Sequence, residues 1–166
     1  MRYVALLRAV NVGGRKLPMA ELRADVAALG FTDVETYIQS GNVVFAAKKT
    51  SPSRLAADLE AAIGVPVIVR TAAEMAAVVN ARPKFDEKTL HVTFLATKPA
   101  ATVKALDPRQ YAPDVYAVNG LEVYVSCPNG YGTTKINNTF FEKRLRVVAT
   151  TRNWRTVTTL ATMAGT

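Results

Sequence analysis

The sequence predicts an α+β fold built from two ferredoxin-like units, split βαβ elements of order βαββαβ whose antiparallel sheets are covered by helices. Two observations carry this. Strand-like apolar runs and amphipathic stretches alternate in the same order in both halves of the 166 residues. Each half also contains two neighbouring strand-like runs joined at a turn signal, Ser40-Gly41 in the first and Asn119-Gly120 in the second. The polar stretch KFDEK at 84–88 is the expected boundary. It separates an N-terminal unit with a linking helix, 1–83, from a C-terminal unit with a terminal helix, 84–166.

Tyr3 to Val10 reads as a buried strand. Pro18 then opens a helix with Met19, Leu22, Val26 and Leu29 on one stripe, and Gly30 stops it. Val34–Gln39 and Asn42–Ala47 are expected strands, with Gly41 supplying the positive φ of a tight turn. Ser51-Pro52 caps a helix carrying Leu55, Leu59 and Ile63, Gly64 ends it, and Val67–Arg70 is the fourth strand. Thr71 with Glu74 forms a capping box for a helix through Val79, punctuated by Pro83.

In the second half, Leu90–Ala96 is strand-like and Ala100–Leu106 can form a short helix. DVYAV and LEVYVS flank Asn119-Gly120 as a hairpin. Thr139 with Glu142 offers a capping box for a helix holding Phe140, Phe141 and Leu145. Val147–Thr151 is the expected closing strand, and Asn153 caps a last helix with Val157, Leu160 and Ala164.

Composition narrows the function classes. No apolar run reaches the roughly 20 residues of a membrane span, and Met1-Arg2-Tyr3 leads into a strand rather than a signal peptide. Cys127 is the single cysteine, which suits a reducing compartment; the expectation is a soluble cytoplasmic protein with no membrane partner. Lys and Arg number 21 against 13 Asp and Glu, a net charge of +8. Residues 127–166 contain Lys135, Lys143, Arg144, Arg146, Arg152 and Arg155 against Glu142 alone. Such a field favours anionic partners, although it also serves solubility.

Ferredoxin-like strand order sets the end of the first strand beside the start of the third. Arg8 and Asn11 therefore share a sheet edge with Gln39, Ser40 and Asn42. In the second unit the same topology joins SCPNGYGTTKINN to His91 and to Arg152-Asn153. These are two expected polar clusters.

Known motifs fit poorly. RAVNVGGRK, residues 8–16, has neither G-x-G-x-x-G nor G-x-x-x-x-G-K-[ST] spacing, so Gly13-Gly14 reads more simply as a strand-to-helix turn. NGYGTTKINN combines freed backbone, hydroxyls, Lys135 and asparagines ahead of a helix, a composition that suits an anion or a plain capped turn. His91 and Cys127 could be neighbours, yet each is more often a satisfied core or edge residue. No C-x-x-C or H-E-x-x-H is present, the acidic residues are scattered over helix faces, and nothing calls for a metal or another cofactor. NVVFAA and LEVYVS carry one aromatic each, short of the stacking strand of an RNA-recognition module.

ALLRAVNVGG, YIQSGNVVF and YGTTKINNTFFEKRL followed by TTRNW resemble the bacterial Domain of Unknown Function 1697 family over almost the whole chain. The resemblance implies a small cytoplasmic α+β protein of two ferredoxin-like halves and no particular activity, cofactor or catalytic residue. Its recognisable pieces coincide with the two clusters: Arg8, Asn11, Gly13, Gly14, Gln39, Ser40, Gly41 and Asn42 in one, Tyr131, Gly132, Lys135, Asn138, Arg152, Asn153 and Trp154 in the other. One departure is Arg146, which stands where a glycine often follows the helix.

The functional expectation is a protein that binds an anionic or phosphorylated small ligand in a groove between its halves. Lys135 and Arg152 would supply charge, Asn11, Gln39, Asn42 and Asn138 directional hydrogen bonds, and Trp154 a stacking face. The alternatives are nucleic-acid binding by the basic C-terminal surface and a cofactorless enzyme acting through amides and arginine.

Overall fold

The computed structural model describes residues 1–8, 16–99, 107 and 109–165. Asn11, the turn at Gly13-Gly14, the first strand's expected end at Val10 and the expected helix over 100–106 lie outside the described residues. The chain forms two compact units, Met1–Val79 with Thr158–Thr166, and Asn80–Val157.

The first unit runs β1 (Arg2–Leu7), α1 (Met19–Ala28), β2 (Thr32–Thr36), β3 (Asn42–Ala46), α2 (Pro52–Ile63) and β4 (Val67–Thr71), with α3 (Ala72–Asn80) following. Its strands order β2-β3-β1-β4, every neighbour antiparallel. Because side chains alternate along a strand, Tyr3, Ala5 and Leu7 share one face with Val43, Phe45, Val67 and Val69. That face packs with Leu22 and Val26 of α1 and Leu55 and Leu59 of α2.

Local signals act where the sequence places them. Ser51 Oγ accepts the Arg54 N–H at 3.3 Å. Gly64 closes α2 at φ 83°. Thr71 and Glu74 bond reciprocally, the Thr71 N–H to Glu74 Oε2 at 2.8 Å and the Glu74 N–H to Thr71 Oγ1 at 3.0 Å.

The second unit runs β5 (Leu90–Leu95), β6 (Val115–Asn119), β7 (Glu122–Ser126), α4 (Asn138–Leu145) and β8 (Ala149–Asn153), and α5 (Trp154–Gly165) follows. Its order, β6-β7-β5-β8, repeats that of the first sheet. Leu95, Val123, Val125 and Ala149 pack with Ile136, Phe141 and Leu145 on the helix-covered face. The expected α+β architecture of two antiparallel four-stranded sheets with helices is therefore the observed one.

Beyond shifts of a single residue, the sequence reading and the structure differ at four places. The expected strand Val34–Gln39 is β2 at Thr32–Thr36, because the chain already turns at Tyr37, whose N–H donates to the Asn42 carbonyl at 3.1 Å. The second hairpin turns on Gly120-Leu121: Asn119 pairs with Glu122, and only the first turn residue, Gly120, takes a positive φ, 61°. The expected Thr139–Glu142 capping box is replaced by Asn137, whose side chain accepts the Phe140 N–H at 2.9 Å, while Glu142 Oε2 accepts the Ala149 N–H at 3.0 Å. The closing strand starts at Ala149 rather than Val147, because Arg146 ends α4 in the left-handed region (φ 53°, ψ 47°) and the chain must still turn back.

Left-handed backbone costs a residue with a Cβ about 1–2 kcal/mol. Ile38 bears that cost in the first hairpin, at φ 48°, although its β-branched side chain is 52 % exposed. Ile38→Asn is accordingly expected to raise the free energy of unfolding by about 1 kcal/mol, visible as a higher urea midpoint at unchanged m-value. An unchanged or lower midpoint would show that the side chain is stabilising where it stands.

Candidate functional site

Pairing of β1 with β3 sets the described members of the first cluster, Arg8, Gln39, Ser40 and Asn42, at one end of the sheet. Leu6 lies opposite Asn42, the Leu7 N–H donates to the Gly41 carbonyl at 2.9 Å, and the Arg8 N–H donates to Pro66 at 2.9 Å. Asn42 is fully buried, and its Nδ2 donates to the Tyr37 carbonyl at 3.0 Å and to Ser40 Oγ at 2.8 Å. Its amide thus closes the hairpin loop. Gln39 is exposed, while Ser40 and Arg8 are half-buried.

In the second unit His91 lies opposite both Val125 and Asn153. The loop after β7 folds back so that the Tyr131 ring stacks on the imidazole, centroids 4.4 Å apart and planes 18° from parallel. A hydrogen-bonded chain extends from there. The Asn138 N–H donates to the Tyr131 hydroxyl at 2.8 Å and the Thr151 hydroxyl to Asn138 Oδ1 at 2.9 Å, while the Thr93 and Thr151 hydroxyls lie 2.8 Å apart. Asn138 Nδ2 donates to the Ala149 carbonyl at 2.9 Å. Both ends of the Asn138 amide therefore tie the start of α4 to β8.

The other members of this cluster have separate surroundings. Lys135 is exposed. Asn153 caps α5, its Oδ1 accepting the Thr156 N–H at 2.9 Å. Trp154 is 5 % exposed, with the Arg82 guanidinium carbon 6.0 Å from its ring centre. Arg152 pairs with Val92 and so lies on the opposite face of the sheet from His91, Thr151 and Asn153. It is 8 % exposed, its Nη1 donates to Thr150 Oγ1 at 2.6 Å and to the Thr151 carbonyl at 3.0 Å, and burial pulls its pKa down to about 10. Topology thus assembles His91, Tyr131, Asn138 and Asn153 but turns Arg152 away from them.

A Cys–His dyad needs a stabilised thiolate. Burial instead pushes the Cys127 thiol pKa up, with a bond to the Thr134 side chain only partly offsetting it. Among the described residues no three His, Cys, Asp or Glu side chains gather as a metal site would require. No helix among them is long and apolar enough to cross a membrane.

Burial also lowers the His91 pKa below its ordinary 6.5; the Thr89 backbone carbonyl opposes this, yet Nδ1 has no partner of hydrogen-bonding geometry. As pH falls through 6.5 the unfolded chain takes up this proton before the folded one does, so stability decreases. His91→Phe, which keeps a ring against Tyr131, is expected to flatten the unfolding free energy between about pH 5 and 7. Parallel pH profiles for the two proteins would show that His91 does not contribute this slope.

A basic concavity lies elsewhere in the second unit. The Ala96 N–H donates to the Val148 carbonyl at 2.9 Å, so the chain leaving β5 meets the chain entering β8. Between them opens a cleft of about 620 Å³ lined by Thr97, Lys98, Lys143, Arg144, Leu145, Arg146 and Val147. Among the described residues its lining carries four cations and no carboxylate, and the only acid of α4, Glu142, has a carboxylate oxygen on the Ala149 N–H. The Arg144 guanidinium carbon lies 5.2 Å from the centre of the Phe140 ring, a cation–π contact that limits its freedom. A smaller cleft of about 420 Å³ in the first unit lies between Leu29, Phe31, Asp58, Ala61 and Ala62, and its Asp58 is ion-paired with Arg54 at 3.3 Å. The basic tail was legible in the sequence, but Lys98 joins it only through the β5–β8 pairing.

Two four-stranded antiparallel sheets of the same strand order, with their helices, place the chain in the α+β class. The chain belongs to the family described as "Protein of unknown function (DUF1697)", whose profile matches residues 1–124. The motifs from Tyr131 onward lie beyond that match. The structure is similar over 99 % of this chain and 98 % of the other to "conserved bacterial protein SP0830 from Streptococcus pneumoniae", at 26 % identity and a TM-score of 0.77. No curated protein matches the sequence.

Proposed function

We propose that this protein binds an anionic, phosphorylated small ligand. The observation that supports it is the second-unit cleft, where Lys98, Lys143, Arg144 and Arg146 converge with no carboxylate among the described lining residues. Its volume falls in the range of small-molecule sites. Converging cations stabilise an anion more than the same charges scattered over a surface, where salt screens each of them. The polar clusters serve this function less directly, since the Asn42, Asn138 and Asn153 amides hold loops and helix starts together. For the same reason Asn42→Ala and Arg152→Ala, the variants that a cofactorless enzyme would suggest, act on buried framework groups.

Thermal unfolding in inorganic phosphate, with ionic strength held constant by sodium chloride, tests the reading. Phosphate at about 100 times its Kd should raise Tm by roughly 5–10 °C. Lys143→Gln with Arg144→Gln should abolish the rise. A rise that persists in the double variant, or none in the parent, would sink the cleft as an anion site.

A second reading has its own observation. Lys135, Lys143, Arg144, Arg146 and Arg155 are all exposed, as a surface that holds nucleic acid by its phosphates requires. It predicts retention on immobilised DNA or RNA that falls steeply with salt and ignores base sequence. Retention that is absent at low salt removes it.

A further inference from the structure

We propose that the cleft of the second unit is a diphosphate site: it takes two adjacent phosphate groups of a compact ligand and reads their charge rather than any attached base. This rests on the anion-binding reading above and specifies its ligand class.

Charge matching leads to two phosphates. One phosphate group carries about 1.5 to 2 negative charges at neutral pH, which would leave about half of the four cations among the described lining residues uncompensated. Two adjacent phosphates match Lys98, Lys143, Arg144 and Arg146 together. The helix end does not account for these cations by itself. A helix C-terminus presents about half a negative charge, enough to favour Lys143 and Arg144 in the last turn of α4. It gives no reason for Lys98, which arrives from β5, or for Arg146, which lies past the helix.

Arg146 is the sharper observation. It occupies the left-handed C-cap position of α4, where glycine would stand without strain, and its side chain lines the cleft. An arginine kept in that conformation fits a guanidinium whose bidentate geometry suits phosphate oxygens. The lining favours compact charge over a stacked base. No aromatic residue is among its described lining residues, and Arg144 already covers Phe140. Thr97 adds a hydroxyl donor, and Leu145 supplies a buried apolar floor.

Isothermal titration at constant ionic strength with pyrophosphate, orthophosphate, ADP and AMP tests the proposal. Pyrophosphate should bind at least about tenfold more tightly than orthophosphate, the loss expected when charge-assisted bonds are removed. ADP should follow pyrophosphate, and AMP should follow orthophosphate. Arg146→Gly relieves the backbone strain, so its Tm should hold or rise while pyrophosphate binding weakens about tenfold. Equal affinities for pyrophosphate and orthophosphate would overturn the diphosphate assignment and leave the anion reading standing. Binding of neither would sink both. Unchanged pyrophosphate affinity in Arg146→Gly, or a short oligonucleotide without terminal phosphate binding as tightly as pyrophosphate, would also overturn it.

Discussion

Phe141→Ala is expected to lower the free energy of unfolding by about 3–5 kcal/mol. Phe141 is fully buried and meets Tyr116 and Phe140 edge-on, with ring centres 5.2 and 5.1 Å apart. It packs beside Leu145 in the core on which α4 rests. Truncation removes transfer free energy and leaves a cavity that the surrounding strands cannot fill by relaxing. Since α4 carries Lys143 and Arg144 to the cleft, phosphate binding should weaken in whatever fraction stays folded. Equilibrium urea denaturation followed by far-ultraviolet circular dichroism measures the stability. A loss under 1 kcal/mol would mean that the α4 core is looser than its contacts indicate.

Asn138→Ala should cost about 2–3 kcal/mol, whereas Lys135→Ala should stay within about 0.5 kcal/mol of the parent. Asn138 is half-buried and joins three elements: its amide accepts from Thr151 and donates to the Ala149 carbonyl, and its N–H reaches the Tyr131 hydroxyl. Alanine leaves the Ala149 carbonyl and the Thr151 hydroxyl without those bonds in a part-buried setting, where unmade bonds cost more than made ones return. Lys135 stands exposed in the same loop. The pair separates framework from binding. If Asn138→Ala kept full stability and lost phosphate binding, the polar cluster would itself be the ligand site.

Much of the fold is legible because its signals are local. Ser51, Gly64, the Thr71–Glu74 pair and Asn153 cap or end helices through bonds within one turn, so a few neighbouring residues suffice to state them. Similar pairs compete, however. Thr139–Glu142 has the same spacing as Thr71–Glu74, yet Asn137 caps α4 and Glu142 faces the first N–H of β8. Which of two available partners an acid takes depends on what lies beside it in three dimensions. Arg146 is another instance: the helix stops there although no glycine marks the stop, because the chain must turn back for β8 to pair with β5.

The residues alone carry the α+β class, the repeated order of elements and the surplus of cations, and, given a ferredoxin-like strand order, the meeting of His91 with the loop after β7 and with Asn153. Periodicity and charge are carried by the residues themselves, and a ferredoxin-like order implies which strand ends are neighbours. Tertiary structure alone decided the faces and the cleft. Along a strand a shift of one residue reverses every side chain, so Arg152 and Thr151, adjacent in the chain, lie on opposite sides of their sheet. Lys98 and Arg146 stand far apart in sequence and reach one cleft because the Ala96–Val148 bond closes the end of the β5–β8 ladder.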